Sequence, residues 1–247
     1  MATISSNNPL LADWSSQPFE LPPFELIQAE HFKPAIETAQ EAQLEELKQI
    51  AENPDAPTFA NTIVAFDRSG QLYAKVLGVF YNLTSSCSPP ELQAVELEMA
   101  GPLAAFQSKV TTFPGLFDRI DAVYESRDQF QGEDLRLLER IHLDFVRSGA
   151  RFDKETQARY NDIMTSLAEL TTKFSQNVMS DESDVTIELS TAEMTGCPDD
   201  MLASAKQNAI DRNAGDDKYV VTLSRSMVEP FLTYATDRAV RERVFRA

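Results

Sequence analysis

The sequence has 247 residues, a formal net charge of −17 at pH 7, and a hydrophobic content of 43% with only 8 glycines. This length suits one large domain or two small ones, and the composition is typical of a helical globular protein rather than a disordered chain. The negative charge argues against nucleic acid and anionic membranes as partners, because phosphate binding needs clustered Lys and Arg.

Targeting signals and the number of cysteines indicate the cellular compartment of a protein. The opening residues MATISSNNPLLADW lack a basic region followed by an apolar core, so they do not predict a secretory signal. No apolar run reaches the ~18 residues that a transmembrane helix needs. Cys87 and Cys197 are the only cysteines and lie far apart in sequence, which argues against a disulfide framework. We therefore expect a reducing, cytoplasmic location.

Residues 1–25 are predicted to form an extended N-terminal arm. Pro18, Pro22 and Pro23 favour extended backbone, and no helical or strand period is present. Large apolar side chains are expected to anchor this arm against the helices that follow: Leu10, Leu11, Trp14, Phe19 and Phe24.

Residues 26–182 are predicted to form a helical lobe. A first helix is expected to begin near Lys33 and Pro34, because proline fits the first turn of a helix. A second helix runs from a capping residue, Thr58, to about Ser85, and Gly70 is expected to bend or split it. Further helices are predicted after the capping-box sequence Ser88-Pro89-Pro90-Glu91, after Pro114, and over residues 133–148.

The longest helical pattern runs from Arg151 to Asp181, with Asp153 as its expected N-cap. Its apolar residues recur at spacings of three and four, which places them on one face. They are Tyr160, Ile163, Met164, Leu167, Leu170, Phe174 and Val178. We interpret this segment as a core helix covered by the preceding helices, so replacing Phe174 by Ala should cost about 3–5 kcal/mol.

Residues 183–247 are predicted to form a ribbon and helix segment leading toward a catalytic region that is absent from this sequence. Apolar residues alternate with polar ones near 185–189 and again near 219–223, which predicts two half-buried strands. Pro198 is expected to open a helix between them, Ser226 to begin a capping box, and Asp237 to cap a final helix.

The final predicted helix is still within its apolar pattern at Ala247. This pattern predicts that the sequence is the front part of a longer protein. A helical lobe that normally continues into a second half would expose a sizeable apolar surface and tend to associate.

Residue chemistry alone gives no active site. His31 and His142 are the only histidines, neither lies in H-E-x-x-H, and neither has a second ligand one helical turn away. The sequence has no G-x-x-x-x-G-K-[ST] and no G-x-G-x-x-G motif. We therefore assign no catalytic, cofactor-binding or metal-binding residue, and the residues that would line a substrate channel stay unknown.

Several stretches, in the same order and across nearly the whole sequence, resemble one family. They are Asn8-Pro9-Leu10-Leu11, Leu21-Pro22-Pro23-Phe24, Ala29-Glu30-His31-Phe32-Lys33-Pro34-Ala35, Pro57-Thr58-Phe59-Ala60-Asn61-Thr62-Ile63, Ser69-Gly70, Arg147-Ser148-Gly149-Ala150, Leu167-Ala168-Glu169-Leu170, Phe174-Ser175-Gln176-Asn177-Val178 and Arg241-Glu242-Arg243-Val244-Phe245-Arg246-Ala247. Together they are similar to the start of the oligopeptidase A and peptidyl-dipeptidase Dcp group in the thimet oligopeptidase family of zinc peptidases.

This resemblance implies a mostly α-helical, two-lobed fold, of which the sequence would be the N-terminal half and one wall of a deep channel. Family members cut short peptides in that channel with one zinc ion, held by the two histidines of H-E-x-x-H and a later glutamate. Those ligands belong to the C-terminal half, so the resemblance transfers no metal or catalytic residue to this sequence. It implies zinc in the full-length relative, a monomeric enzyme, and no peptidase activity in this chain alone.

Two other interpretations stay open. One is a stand-alone, non-catalytic helical interaction protein derived from such an enzyme. A metal-free hydrolase would need a Ser/His/Asp site built on His31 or His142.

Overall fold

The computed structural model describes residues 8–215 and 217–247. Two compact units divide the chain, one reaching to Thr172 and the other running from Lys173 to Ala247. The described residues are mostly α-helical with one small antiparallel sheet of two strands, which confirms the predicted fold class. The division into an arm (residues 1–25), a lobe (26–182) and a ribbon and helix segment (183–247) stays a prediction.

The first unit is built from helices, whose bounds in chain order are α1 (Phe32–Ala51), a π-helical segment (Phe59–Val64), α2 (Ala65–Asp67), α3 (Gln71–Ser86), α4 (Pro90–Thr111), α5 (Leu116–Glu125), α6 (Gly132–Arg147) and the start of α7 (Lys154–Asp184). Gly70 breaks the predicted helix from Thr58 to Ser85, because its φ of 71° lies in the left-handed region that favours glycine. No helix in the described part of the chain is long and apolar enough to cross a membrane.

The N-terminal segment is anchored by fewer residues than the sequence predicts. Residues 1–7 of the predicted arm lie outside the described residues. Leu10 is fully buried and Trp14 packs against the first core cluster, but Phe19 is 94% exposed and Phe24 is also exposed. The segment is not continuously extended, since short 3₁₀ turns form at Pro18–Glu20, Phe24–Leu26 and Ala29–His31. Those turns direct Phe19 and Phe24 into solvent, so the prediction that they are anchors was wrong.

The N-termini of the helices test the predicted capping residues. Thr58 and Asp153 act as predicted, accepting hydrogen bonds from the backbone N–H of Asn61 and Thr156. The capping box at Ser88 was wrong, because a residue before proline is held in extended backbone and Pro89 (ψ 161°) therefore delays the helix to Pro90. The capping box at Ser226 was also wrong, since α9 already begins at Arg225.

Two buried clusters form the core of the first unit. One joins α1 and α3 and includes Ile36, Phe80 and Leu10. The other joins α1, α5 and α6 and includes Leu47, Ile120 and Phe145. Arg119 of α5 is a buried, positively charged residue. Its guanidinium donates to the backbone oxygens of Asn53 and Asp55 and so holds the turn after α1.

The second unit contains the predicted ribbon. β1 (Ile187–Leu189) pairs antiparallel with β2 (Tyr219–Val221), and Ile187 lies opposite Val221. The helices α8 (Asp199–Asp211), α9 (Arg225–Tyr234) and α10 (Arg238–Arg246) complete the unit. Leu189, Val221 and Phe231 are fully buried between them. Asp237 caps α10 as predicted, accepting from the backbone N–H groups of Ala239 and Val240.

Candidate functional site

The most distinctive surface of the first unit is the apolar side of α7. We define the α7 face as Ile163, Met164, Leu167 and Leu170, all of which are exposed. Leu167 is 50% exposed and Leu170 is 62% exposed. No residue of α7 is buried. Further along, in the part of the helix that belongs to the second unit, Phe174 is 69% exposed and Val178 is also exposed.

These exposures correct the prediction that α7 is a core helix. The predicted stripe exists, but it points to solvent. From Asn161 to Thr172, the partly buried positions of α7 fall at helical spacing on a different side, and they are polar or small: Asn161, Thr165, Ala168 and Thr172. Nearer the start of the helix, Gln157 and Tyr160 are also partly buried, so Tyr160 is the one residue of the predicted stripe up to Thr172 that is not exposed. At 100° per residue, the centre of this side lies more than a third of a turn from the centre of the α7 face. The apolar side of α7 therefore faces solvent, and its polar side faces the rest of the first unit.

A glycine in α4 accounts for this orientation. A Cβ atom built on Gly101 would lie 2.9 Å from Oε1 of Glu169 and 3.4 Å from Cγ2 of Thr165. Gly101 therefore leaves room for the side chains of Thr165 and Glu169, which approach α4 from the polar side of α7. The polar side of α7 is thus turned toward its own unit, and the apolar side is left without a cover there.

A groove of about 500 Å³ runs beside the α7 face. Met164 and Leu167 belong both to the face and to the groove, and the opposite wall comes from Tyr73 and Leu77 of α3 and Leu103 of α4. The groove and the face therefore form one continuous surface. Its lining is mainly hydrophobic, and its polar groups are the phenol and threonine hydroxyls and the amide of Gln107.

The two tyrosines of the groove are uncharged near neutral pH. Burial raises the pKa of Tyr73 to about 12, and its hydrogen bond with Gln40 opposes this rise. Burial, followed by the negative charge of Glu96, raises the pKa of Tyr81 above its ordinary value. Neither phenol is poised to exchange a proton at physiological pH. The groove therefore has the properties of a binding surface rather than a centre of acid–base chemistry.

The two histidines occupy separate structural positions. Nδ1 of His31 accepts a hydrogen bond from the backbone N–H of Gln28. Nε2 of His142 donates to Oδ1 of Asp121 at 2.7 Å, and Arg151 donates to the same oxygen at 3.0 Å. Burial acts to raise the pKa of Asp121, but these hydrogen bonds and the Arg151 charge outweigh it and lower that pKa.

The His142–Asp121 pair tests the metal-free hydrolase interpretation. The imidazole stacks on Tyr124 with ring centroids 3.7 Å apart and lies 5.7 Å from the ring of Phe117 on α5. Among the described hydrogen bonds of this ring, none involves a serine or cysteine that could serve as a nucleophile. The pair therefore joins α5 to α6 as a structural contact.

The second unit has its own cavity, of about 690 Å³. Thr222, Ser224 and Ser226 line it, and the hydroxyl oxygens of Thr222 and Ser224 lie 2.9 Å apart. None of the residues that line it is a histidine, so these hydroxyls have no imidazole base beside them. Over residues 8–215 and 217–247, no group of three or more His, Cys, Asp or Glu side chains is arranged to hold a metal ion.

Sequence reasoning missed the groove and the contact of Gly101 with α7. The signal was present, because Asn161, Thr165 and Ala168 repeat at helical spacing opposite the apolar stripe. A row of small and polar residues on a helix permits close approach to another helix. Only the structure shows that Gly101 is the partner of this row.

The described residues form a mostly helical protein with an exposed apolar surface on α7. They contain no group of side chains arranged to hold a metal ion. No protein-family model matches the chain. It is 31% identical over 247 residues to the dipeptidyl carboxypeptidase of Escherichia coli, covering 99% of this chain and 36% of that protein. It is 29% identical to the oligopeptidase A of E. coli, covering 97% of this chain and 35% of the relative.

An Arabidopsis thaliana protein described as organellar oligopeptidase A, chloroplastic/mitochondrial, is 29% identical across 98% of this chain and 31% of its own length. The chain thus spans about a third of the length of the curated relatives it matches. It fits a fragment of the family that includes dipeptidyl carboxypeptidase, oligopeptidase A and thimet-like oligopeptidase, as its sequence motifs indicated.

Proposed function

We propose that this chain is the N-terminal, channel-wall portion of a zinc metallo-oligopeptidase that hydrolyses short peptides. The observation that carries the proposal is the match of nearly the whole chain to about a third of several peptidases. The α7 face and its groove support it, because an uncovered apolar surface is expected where a helical lobe meets the rest of a larger protein. Which residues border the peptide channel stays a prediction for experiment.

Zinc does not fit the described residues of this chain. A hydrolytic zinc site needs three protein ligands held together. Nε2 of His142 is hydrogen-bonded to Asp121, and Nδ1 of His31 accepts a hydrogen bond from a backbone N–H group. We therefore assign the zinc ligands and the catalytic residues to the part of the enzyme that lies outside this chain, and we expect this chain alone to be inactive.

The proposed setting of the full-length enzyme is the cytoplasm, where it would act as a monomer on short peptides. One relative, from A. thaliana, is named a probable cytosolic oligopeptidase A, which supports this location. The net charge of −17 supports the absence of nucleic acid and membrane partners.

The test is a peptidase assay on the purified 247-residue chain. Zinc content is measured first, and the chain is then incubated with an internally quenched fluorescent peptide, with and without added zinc and chelator. We expect far less than one zinc per chain and no chelator-sensitive turnover. Stoichiometric zinc together with chelator-sensitive cleavage, after contaminating peptidases are excluded, would refute the assignment of the metal centre to another region.

A second candidate is a stand-alone, non-catalytic helical interaction protein derived from such an enzyme. The exposure of the α7 face favours it, since such a surface also suits a separate protein partner. The genomic reading frame beyond codon 247 separates the two. An in-frame H-E-x-x-H supports the peptidase portion, whereas a stop codon directly after Ala247 supports the interaction protein.

A further inference from the structure

We infer that the α7 face is the docking surface for an amphipathic helix contributed by the part of the same polypeptide that lies beyond residue 247. This inference rests on the proposed function and names the partner of one surface within it. The occupant is a segment of the longer enzyme, rather than a second copy of this chain or a peptide substrate.

The first argument is the inverted orientation of α7. A helix that only completed its own unit would turn Leu167 and Leu170 inward. Instead, Thr165 and Glu169 approach Gly101 of α4, and the leucines are half exposed or more. Removing a leucine side chain from water stabilises a folded protein, because apolar surface is poorly solvated. Four large apolar side chains left in water therefore indicate a surface that is covered in the complete protein.

The second argument is shape. Ile163, Met164, Leu167 and Leu170 follow the spacing of three and four residues that a partner helix contacts along one seam. The seam is about 11 Å long at 1.5 Å per residue, which is two helical turns. The neighbouring groove, with Tyr73 and Leu77 on its far wall, offers depth for the side chains of an incoming helix.

The third argument is charge. The groove that continues the α7 face is lined by no Asp, Glu, Lys, Arg or His, so the joint surface selects an apolar partner surface. Two copies of this chain would bring two net charges of −17 together, which opposes self-association. A covalently continuous segment meets no such barrier at working concentrations, because its effective concentration is set by the linking chain.

The fourth argument is the length of the relatives. E. coli dipeptidyl carboxypeptidase and oligopeptidase A align with almost all of this chain, but nearly two-thirds of each lies outside the aligned portion. A protein of this family therefore has ample additional chain to supply the covering helix.

The experiment compares this chain alone with a fusion. In the fusion, the chain is joined to the segment of E. coli dipeptidyl carboxypeptidase that lies outside its aligned portion. Both carry Cys87→Ser and Cys197→Ser, and a single reporter cysteine is then introduced. Leu167→Cys and Leu170→Cys report on the α7 face, and Ile210→Cys is the matched control, since Ile210 is 56% exposed on α8.

The readout is the rate of alkylation by a maleimide. We expect the fusion to slow the reaction of both α7-face cysteines by at least about tenfold, since a covered thiol reacts only after local opening. The rate at the Ile210→Cys control should be the same in the chain and in the fusion. Unchanged rates at Leu167→Cys and Leu170→Cys would overturn the docking inference.

Peptidase activity of the fusion is measured in parallel and reports on the proposed function separately. Activity with unprotected α7-face cysteines refutes the docking surface and leaves the function supported. Protection without zinc-dependent activity supports the docking surface and counts against the function.

A second measurement tests the docking surface if the fusion fails to fold. The same E. coli segment is produced separately and added to this chain, to its Leu167→Glu/Leu170→Glu variant, and to the Ile210→Glu control. Binding that the double variant loses and the control keeps supports the docking surface. Absence of binding, binding that the double variant retains, or self-association of the unmodified chain through the α7 face contradicts it.

Discussion

The helices α6 and α7 begin as similar sequence patterns and end in opposite environments. Each has an uninterrupted apolar stripe. The stripe of α6 is covered, with Leu138 fully buried and Phe145 only 2% exposed, whereas Leu170 and Phe174 of α7 are mostly in solvent. The difference lies in the neighbouring helices. Ile120 of α5 lies in one buried cluster with the α6 stripe, while α4 meets α7 through Gly101 on its polar side.

This comparison shows what hydrophobic periodicity measures. It identifies a helix and the face that needs a cover, but not whether that cover belongs to the same chain. Four sets of substitutions test this conclusion, beginning with the largest expected effect.

The first prediction concerns two phenylalanines. Phe145→Ala should lower the free energy of unfolding by about 3–5 kcal/mol, because it removes a buried ring that packs against Phe66 and Phe117. Phe174→Ala should lower the free energy of unfolding by less than about 1 kcal/mol, which is the range for an exposed position. This expectation replaces the loss of about 3–5 kcal/mol that the sequence pattern predicts for Phe174→Ala. Urea unfolding followed by far-ultraviolet circular dichroism measures both. Equal losses would mean that the two stripes are equally buried in solution.

The second prediction concerns the exposed surface itself. The isolated chain should bind a hydrophobic dye, since the α7 face and its groove form a continuous apolar patch. Leu167→Glu/Leu170→Glu should lose most of the dye fluorescence, and Ile210→Glu should lose little of it. A monodisperse monomer that binds no dye would contradict both the exposed face and the fragment interpretation.

The third prediction concerns the contact between α5 and α6. The folded-state pKa of Asp121 is lowered, so its stabilisation is present above its unfolded-state value of about 3.9 and is lost as the pH falls through the folded-state pKa. Asp121→Asn should therefore reduce stability at neutral pH and flatten the acid side of the stability profile. The loss should be no more than about 1 kcal/mol, because the carboxylate is partly exposed.

Unfolding midpoints between pH 7 and pH 3 measure this effect. Asp144→Asn is the matched control, because Asp144 forms only an exposed pair with Arg140 on the same helix. A profile for Asp121→Asn that runs parallel to that of the unmodified chain would show that Asp121 contributes no proton linkage.

The smallest effect is expected at Gly101. Alanine favours a helix by about 1 kcal/mol over glycine, and this gain opposes the close contact of the new Cβ with Glu169. The net change in unfolding free energy should stay within about 1 kcal/mol, since the Glu169 carboxylate is the end of a flexible side chain. Gly101→Leu, which adds bulk that cannot be relieved in this way, should destabilise the chain more. If it does not, α4 and α7 do not approach closely at this point.

Much of the fold follows from local signals in the sequence. The left-handed φ at Gly70, the caps at Thr58, Asp153 and Asp237, and the two alternating strands all depend on residues that are close together in the chain. Such interactions need no knowledge of distant residues, so sequence reasoning captured these, although it misplaced the capping boxes at Ser88 and Ser226.

The candidate site follows from contacts that local signals do not contain. The polar side of α7 meets α4 at Gly101, about 70 residues before the middle of α7, and long-range packing of this kind decides which side of a helix is buried. The exposure of Phe19 has a local cause instead, the turn at Pro18–Glu20, which the sequence pattern did not predict. The peptidase family was recognisable from motifs, and its relatives confirm that resemblance over nearly the whole chain.

Trp14 is the single tryptophan of the sequence, and its position makes it a built-in optical probe. Its indole N–H donates to the backbone oxygen of Pro9, and the Lys75 ammonium lies 3.8 Å from the ring centroid. Its ultraviolet emission therefore reports on the attachment of the N-terminal segment to α3. An experimenter who follows emission alone would record the loosening of that attachment and would see nothing of events around β1 and β2, where light from tyrosine or an introduced fluorophore is needed.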